Sequence, residues 1–273
     1  MMRILGVAGT CGLGDDPTGW LSGLEAGGAI RALGRPRPPR RVSRDLWRRM
    51  GPVDQHAVVA AFDALGGRSG PTVGVVWGNG VGAVAASRVF LRGLDARGPD
   101  HARPVAFQTS VHNATAGFLA MAANLTGPSE SVFAGGMTGL RALSCARRML
   151  LRPEVEAVLV VVADVAVPDI QRGHAVAEID PAGDAVCALM VDAAPGAGPR
   201  LGFVPPPGRP DLSRRCAVPG EAPRPFTARL AHDDALGLCL GAGLWSVGAL
   251  AAGGGGTALD WWDDQTLAVE VRP

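Results

Sequence analysis

The side chains in this sequence best suited to attack a carbonyl or hold a metal are five cysteines and five histidines. The cysteines are Cys11, Cys145, Cys187, Cys216 and Cys239. No two form a CxxC pair, and their spacing fits neither a zinc site nor a disulfide framework. Reduced, mostly buried thiols in a cytoplasmic protein are the expectation. One stretch has the architecture that activates a thiol. GPSESVFAGGMTGLRALSCARRML, starting at Gly127, reads as a short strand over Ser131 to Ala134, a glycine turn and a helix. A helix N-terminus lowers a thiol pKa and presents unsatisfied N–H donors. Yet Gly135 and Gly136 occupy the turn, so the platform stands without a nucleophile. Cys145 follows about 13 Å further along the helix axis at 1.5 Å per residue, which makes it a packing residue.

Other chemistry is weaker. His112 and Asn113 invite a catalytic reading, but the sequence places no acid or nucleophile beside them, so a structural role is preferred. His56 and His174 stand singly, and no metal site is expected. WGNGVGA puts Gly78, Gly80 and Gly82 between a strand and a helix, where backbone N–H groups can cradle a pyrophosphate. The third glycine of the dinucleotide fingerprint is displaced and no ribose-binding acid follows, so a tight structural turn is the default. No cofactor is expected.

These groups must be positioned by a chain of 273 residues, 47% hydrophobic, with formal net charge +1. That is enough to bury a substantial core. It gives no global field favouring nucleic acid or a membrane. The basic side chains other than histidine are all arginine, and tyrosine is absent; coding bias explains both. MMRILGVAGTCGLG lacks the apolar core and cleavage site of a signal peptide. The Ala/Gly/Leu stretch near 235–252 reads as a buried helix rather than a membrane span.

The expected elements alternate. Ile4 to Val7 is a short strand. A proline-stiffened loop leads to a helix from about Ser43, which can cap it, continuing through DQHAVVAAFDALGG. Thr72 to Asn79 is a β-branched strand. GVGAVAASRVFLRGLDARG is a helix ending near Gly98, and HNATAGFLAMAANLTGP is another. Glu156 to Val165 is an apolar strand buried on both faces. DAVCALMVDAA is one more. A Pro/Gly/Arg-rich segment over 194–225 reads as a loop or linker. DDALGLCLGAGLWSVGALAAG is a small-residue helix. TALDWW and TLAVEVR form a final hairpin around Asp263-Asp264, with Trp261 and Trp262 on opposite faces of its first strand. The pattern predicts a layered α/β fold.

In this order and spacing the chain resembles a β-ketoacyl synthase, a condensing enzyme of the thiolase fold, over roughly Arg40 to Ala194. VGVVWGNGVGAVAASRVFL, PVAFQTSVHNATAGFLAMAANLTGPS and AVLVVVADV carry the resemblance. It implies a thiolase-like layered αβαβα fold with a complete N-terminal half and a shortened C-terminal half. Within one structural domain, 1–193 is the ketosynthase-like half, 194–225 the linker and 226–273 the shortened remainder. The family's acylated cysteine, counted from Gly127-Pro128-Ser129, falls on Gly136, and glycine offers no thiolate. GLCLGAG resembles a second family motif, with Leu238 where a histidine is needed; His232 comes too early, and the His-Gly-Thr-Gly-Thr motif is absent. Gly136 and Leu238 thus mark lost catalytic positions, and no catalytic residue is assigned.

Such a chain resembles the chain-length factors of type II polyketide systems, in the short form of aryl-polyene pathways, although fuller factors often carry glutamine where Gly136 stands. The implied role is a non-catalytic subunit that pairs with an active ketosynthase and shapes the acyl-chain tunnel. The strand from Glu130 to Ala134 would pair across a two-fold axis. Phe107, His112, Asn113, Phe118, Ser131, Val132 and Phe133 would lie at the dimer interface, with a ketosynthase or a second copy as partner. Arg40, Arg41, Arg44, Arg48 and Arg49 would form a docking patch for an acidic acyl carrier protein, unless they are only a solvated loop. The alternatives are an enzyme of different chemistry on the same fold, using His112 and an acid, or a stand-alone acyl- or nucleotide-binding protein.

Overall fold

The computed structural model describes residues 1–11, 33–80, 82–164, 184–205, 216–217, 251, 255–262 and 265–273. The first strand, β1 (Met2–Cys11), is longer than the apolar run that marks it. Ser43 caps α1 (Arg44–Arg49), its hydroxyl oxygen accepting from Leu46 N at 3.2 Å. The single helix expected from Ser43 is broken, because a proline at 52 has no N–H to donate and steers Gly51 into extended backbone. A second helix, α2 (Pro52–Leu65), starts there. It ends at Gly66 in the left-handed region. Then come β2 (Val73–Gly78), α3 (Val84–Arg97), α4 (Pro104–Ser110) and α5 (Ala114–Ala123). β3 (Ser129–Val132) leads through a single 3₁₀ turn, Gly135–Met137, into α6 (Thr138–Met149). β4 (Ala157–Asp164), β5 (Ala185–Asp192), β6 (Arg200–Val204), β7 (Cys216–Ala217), β8 (Gly256–Trp262) and β9 (Gln265–Arg272) complete the described elements.

The described strands form one mixed sheet in the order β3-β2-β4-β5-β1-β6-β9-β8-β7. β2 runs parallel to β3 and β4, and every other pairing is antiparallel. β4 and β5 are buried along their whole length, as continuous apolar runs require. Side-chain alternation divides them between two cores. Val158, Val160 and Val162 face Leu140, Leu143 and Met149 of α6. Leu159 and Val161 face Val58 and Ala61 of α2 and Phe118 of α5.

The sheet has two wings. β1 meets β6 through only two residue pairs, Met2 with Leu201 and Arg3 with Arg200. α6 packs between the wings, touching β2 and β4 on one side and β8 and β9 on the other. Outer helices, first wing, α6 and second wing therefore form successive layers of an α/β fold. The helix expected near 235–252 lies outside the described residues, except Ala251, which packs against the α6 core.

One expectation is corrected. The segment 194–225 is not simply a linker, because β6 lies inside it, paired with β9 from Arg200–Arg272 to Val204–Ala268. Its glycines and prolines hide a five-residue strand whose partner lies far along the chain.

Candidate functional site

β3 is the terminal strand of the first wing, and β2 aligns it so that Gly78 sits opposite Val132. The chain then passes Phe133 and Ala134 and turns into α6 at Gly135–Met137. Gly135 has φ 53°, a conformation that disfavours any residue with a Cβ. Thr138 holds the turn closed: its hydroxyl oxygen accepts from Ala134 N at 3.0 Å and donates to Gly135 O at 2.8 Å. Met137 N donates to Ala134 O at 3.0 Å. Thr138 is fully buried and committed to these bonds, so it is no substitute nucleophile. Cys145 lies on a later turn of α6, half-buried, with its Sγ 3.2 Å from Arg148 Nη2. Burial, and then the Glu130 carboxylate, push its thiol pKa up, away from the reactive thiolate.

The glycine turn after β2 is closed by side chains too. Gly80 N donates to Asp164 Oδ1 at 2.9 Å, and Ala83 N donates to His112 Nδ1 at 3.0 Å. A phosphate here would meet a carboxyl oxygen and find these two N–H groups taken, which argues against nucleotide binding. Gly82 has φ 69°, and a Cβ on it would come within 2.6 Å of the His112 ring. That ring also lies 4.8 Å, centroid to centroid, from Phe133. His112 therefore clamps the two glycine turns together. No carboxylate among the described residues pairs with it, so an His112–acid catalytic pair is not formed here.

Asp164 ends β4 and is 4% exposed. Its Oδ2 has no hydrogen-bond partner among the described residues. Burial raises its pKa to about 7, against a smaller lowering by Gly80 N–H. Below about pH 4 the carboxyl is neutral in folded and unfolded chains alike. Between there and about 7 the unfolded chain ionises while the folded chain resists. Stability therefore falls as pH rises, by up to about 1.4 kcal/mol per unit, and levels off above that window. Asp164→Asn keeps an oxygen for Gly80 and removes this loss. Urea unfolding should show the variant gaining on the wild type between pH 5 and pH 8, while a pH-independent difference would contradict the assignment.

Beside β2 lies an open cleft of about 560 Å³. Trp77, Asn79, Asp54 and Thr115 line it, as do Ala85, Ala86, Val89 and Val105. Asp54 Oδ1 accepts from Thr115 Oγ1 at 2.5 Å, and Oδ2 accepts from Gly51 N at 2.8 Å. Desolvation raises the Asp54 pKa, and these two bonds oppose the rise. The sequence reading missed Asp54, Thr115, Thr138 and Asp164. Only Asp164, a polar end to an apolar strand, left a visible signal.

The expected interface residues separate. Phe107 is 57% exposed, beside Val105 at 53% and Val111 at 38%. His112 and Asn113 are exposed, and Ser131, Val132 and Phe133 are half-buried. Phe118 is corrected: at 2% exposure it belongs to the core against α2 and cannot face a partner. Arg40, Arg41, Arg44, Arg48 and Arg49 are all exposed, and Arg48, Arg49 and Arg103 stand along the cleft. Leu238 lies outside the described residues. Among the described residues no helix is long and apolar enough to cross a membrane, and no group of three or more His, Cys, Asp and Glu could hold a metal ion.

Residues 41–203, more than half of the chain, match the family model of the β-ketoacyl synthase N-terminal domain. The chain belongs to the β-ketoacyl synthase family. Comparison with curated proteins returns no match. Among solved structures, the ishigamide ketosynthase/chain length factor is similar, with TM-score 0.70 and 19% identity, covering 99% of this chain and 98% of that one. The ketosynthase ApeO in complex with its chain length factor ApeC from Xenorhabdus doucetiae gives TM-score 0.62 and 18% identity, covering 98% of each chain. A β-ketoacyl synthase from Burkholderia phymatum gives TM-score 0.60 and 17% identity, covering 88% of this chain and 70% of that one. At these identities the likeness establishes the shared thiolase-like ketosynthase fold.

Proposed function

We propose that this ketosynthase-like chain is a non-catalytic subunit of the chain-length-factor type, which pairs with an active β-ketoacyl synthase and shapes the tunnel for a growing acyl chain. The observation that carries the proposal is the turn before α6. Counted from Gly127-Pro128-Ser129, Gly136 falls where the resembled family motif has its cysteine, and the only hydroxyl in the turn is buried and bonded to its backbone. The full-length likeness to ketosynthase/chain length factor structures supports the same reading. So does the edge position of β3, an unpaired strand edge being a natural pairing site. The exposed arginines around α1 supply a basic surface for an acidic carrier protein.

The protein alone should form no covalent acyl intermediate. Incubated with an acyl-carrier thioester, it should keep its intact mass; a stable acyl adduct would overturn the proposal. Gly136→Cys should not create a synthase either. It restores at most a thiol, while Leu238 supplies no imidazole to assist decarboxylation. Condensation by that single variant would mean that the missing histidines are supplied elsewhere in the chain. Co-expression with a ketosynthase encoded beside it should give a complex burying more than about 2,000 Å². A monomer at micromolar concentration, by light scattering on the protein alone and on the co-expressed sample, would rule the pairing out.

A further inference from the structure

Seven of the 26 arginines fall between Arg35 and Arg49, with a single acid, Asp45, among them. The whole chain carries only +1, so the rest of it is net negative. The cationic field is therefore local, and every arginine in it is exposed. The stretch before α1 is also held in place. Pro36, Pro38 and Pro39 fix their own φ and keep the residues before them extended. Burial then repeats every third residue, the period of a polyproline helix. Leu33, Pro36 and Pro39 are half-buried and Val42 is buried, while the residues between them, from Gly34 to Arg41, are exposed. At one end Leu33 N donates to Asp184 Oδ2 at 2.8 Å. At the other Val42 N donates to Pro39 O at 2.9 Å, and Val42 enters the core beside α2. The result is a strap with Pro36 and Pro39 against the body and its arginines in water. A groove that reads proline-rich segments would find those two prolines turned away.

Among the described residues Arg35, Arg37, Arg40 and Arg41 form no ion pair, and the acid within the stretch, Asp45, lies 3.9 Å from Arg48. We propose that this strap docks the protein onto an anionic lipid bilayer, with the arginines at the headgroups and no segment entering the hydrocarbon. A guanidinium fork matches a lipid phosphate with two parallel N–H donors. A cluster of about four to eight basic side chains is what an anionic bilayer surface attracts. The same charges suit a nucleic acid less well. α1, the helix of this stretch, has six residues, too few to lie along a groove. No exposed aromatic stands among the arginines to stack on a base, since Trp47 is half-buried. A bilayer needs neither, only cations side by side with the acids kept elsewhere. The proposal is independent of pairing with a ketosynthase, and Arg35 and Arg37 lie outside the patch read as a carrier-protein surface.

Co-sedimentation of the whole protein with sucrose-loaded vesicles tests it. Vesicles of phosphatidylcholine containing about one-third phosphatidylglycerol should carry the protein down, and pure phosphatidylcholine should not. Raising the salt from about 0.05 M to about 0.5 M should weaken binding at least tenfold, because the field is screened. Arg35→Gln combined with Arg37→Gln should weaken it at least fivefold, with the melting curve unchanged, since both side chains are exposed. Arg92→Gln combined with Arg97→Gln removes the same charge from exposed positions on α3 and should change binding less than twofold. Equal binding to neutral vesicles, binding indifferent to salt, or equal losses in the two double variants would overturn the proposal. So would binding of a short DNA duplex or of the acidic carrier protein under conditions where the anionic vesicles do not bind. The complex with the ketosynthase is scored on separate samples by light scattering. Its absence sinks the pairing alone, and absence of vesicle binding with the complex intact sinks the strap alone.

Discussion

If the chain pairs as proposed, Phe107→Asp should separate it from the partner ketosynthase while leaving the protomer folded. Single exposed apolar residues are ordinary on a protein surface, but contiguous ones mark contact surfaces. Phe107 lies on α4 with its ring 5.5 Å from that of Phe90 on α3. Val89, Val105 and Val111, which line the adjoining cleft together, are exposed by between 38% and 67%. A central aromatic in such a surface typically contributes about 2–4 kcal/mol, and a carboxylate in its place adds the cost of burying an unpaired charge. The dissociation constant should rise by roughly 30- to 1,000-fold or more. Because the side chain is more than half exposed in the free protomer, its thermal midpoint should move little. Sedimentation of the co-expressed pair and a melting curve of the protomer check the two halves. An intact complex would remove α4 from the interface. Phe133→Asp is the less informative choice, since Phe133 is half-buried and stacked near His112, so its loss would also disturb the glycine turns.

The contrast between Phe107 and Phe118 shows where sequence reading stops. Both stand in small-residue helices, and both were expected at the interface. α5, ATAGFLAMAA, is apolar almost all round, so no polar stripe reveals which face turns inward. Packing against α2 decides it, and buries Phe118. β4 was legible because its apolar run is short and rich in valine, which favours a fully buried strand over a buried helix. The turn before α6 was legible from order and glycine content. The helix break at Gly51-Pro52 was legible in the proline, which ends a helical pattern at the preceding residue, but the helix signal on either side of it masked the break. β6 was hidden by its flanking glycines and prolines, and by a partner far along the chain. The Asp54–Thr115 bond joins residues 61 apart, and nothing local to either announces it. Pairings of this kind turn a list of polar residues into a site, and they are set by tertiary packing alone.

Leu143→Ala should be the most damaging truncation on α6, and its size measures how firmly the turn at Gly136 is held. Leu143 is fully buried in the core that joins the wings of the sheet, with Val160 and Val162 of β4, Leu201 of β6 and Val269 and Val271 of β9. Few other elements span both wings, since β1 and β6 share only two residue pairs. A cavity at Leu143 therefore loosens the packing that ties one wing to the other and holds α6 behind the turn. Leu-to-Ala substitutions in such cores cost about 2–5 kcal/mol, depending on how far the walls collapse. Walls made of two strand layers, fixed by their own ladders, collapse little, which places this site toward the upper end. Leu151→Ala, just beyond the same helix at 79% exposure, should cost close to nothing. Urea denaturation of the two variants gives the comparison directly. Equal, small losses would mean that α6 is not wedged between the wings, and that the turn it begins with is held by the first wing alone.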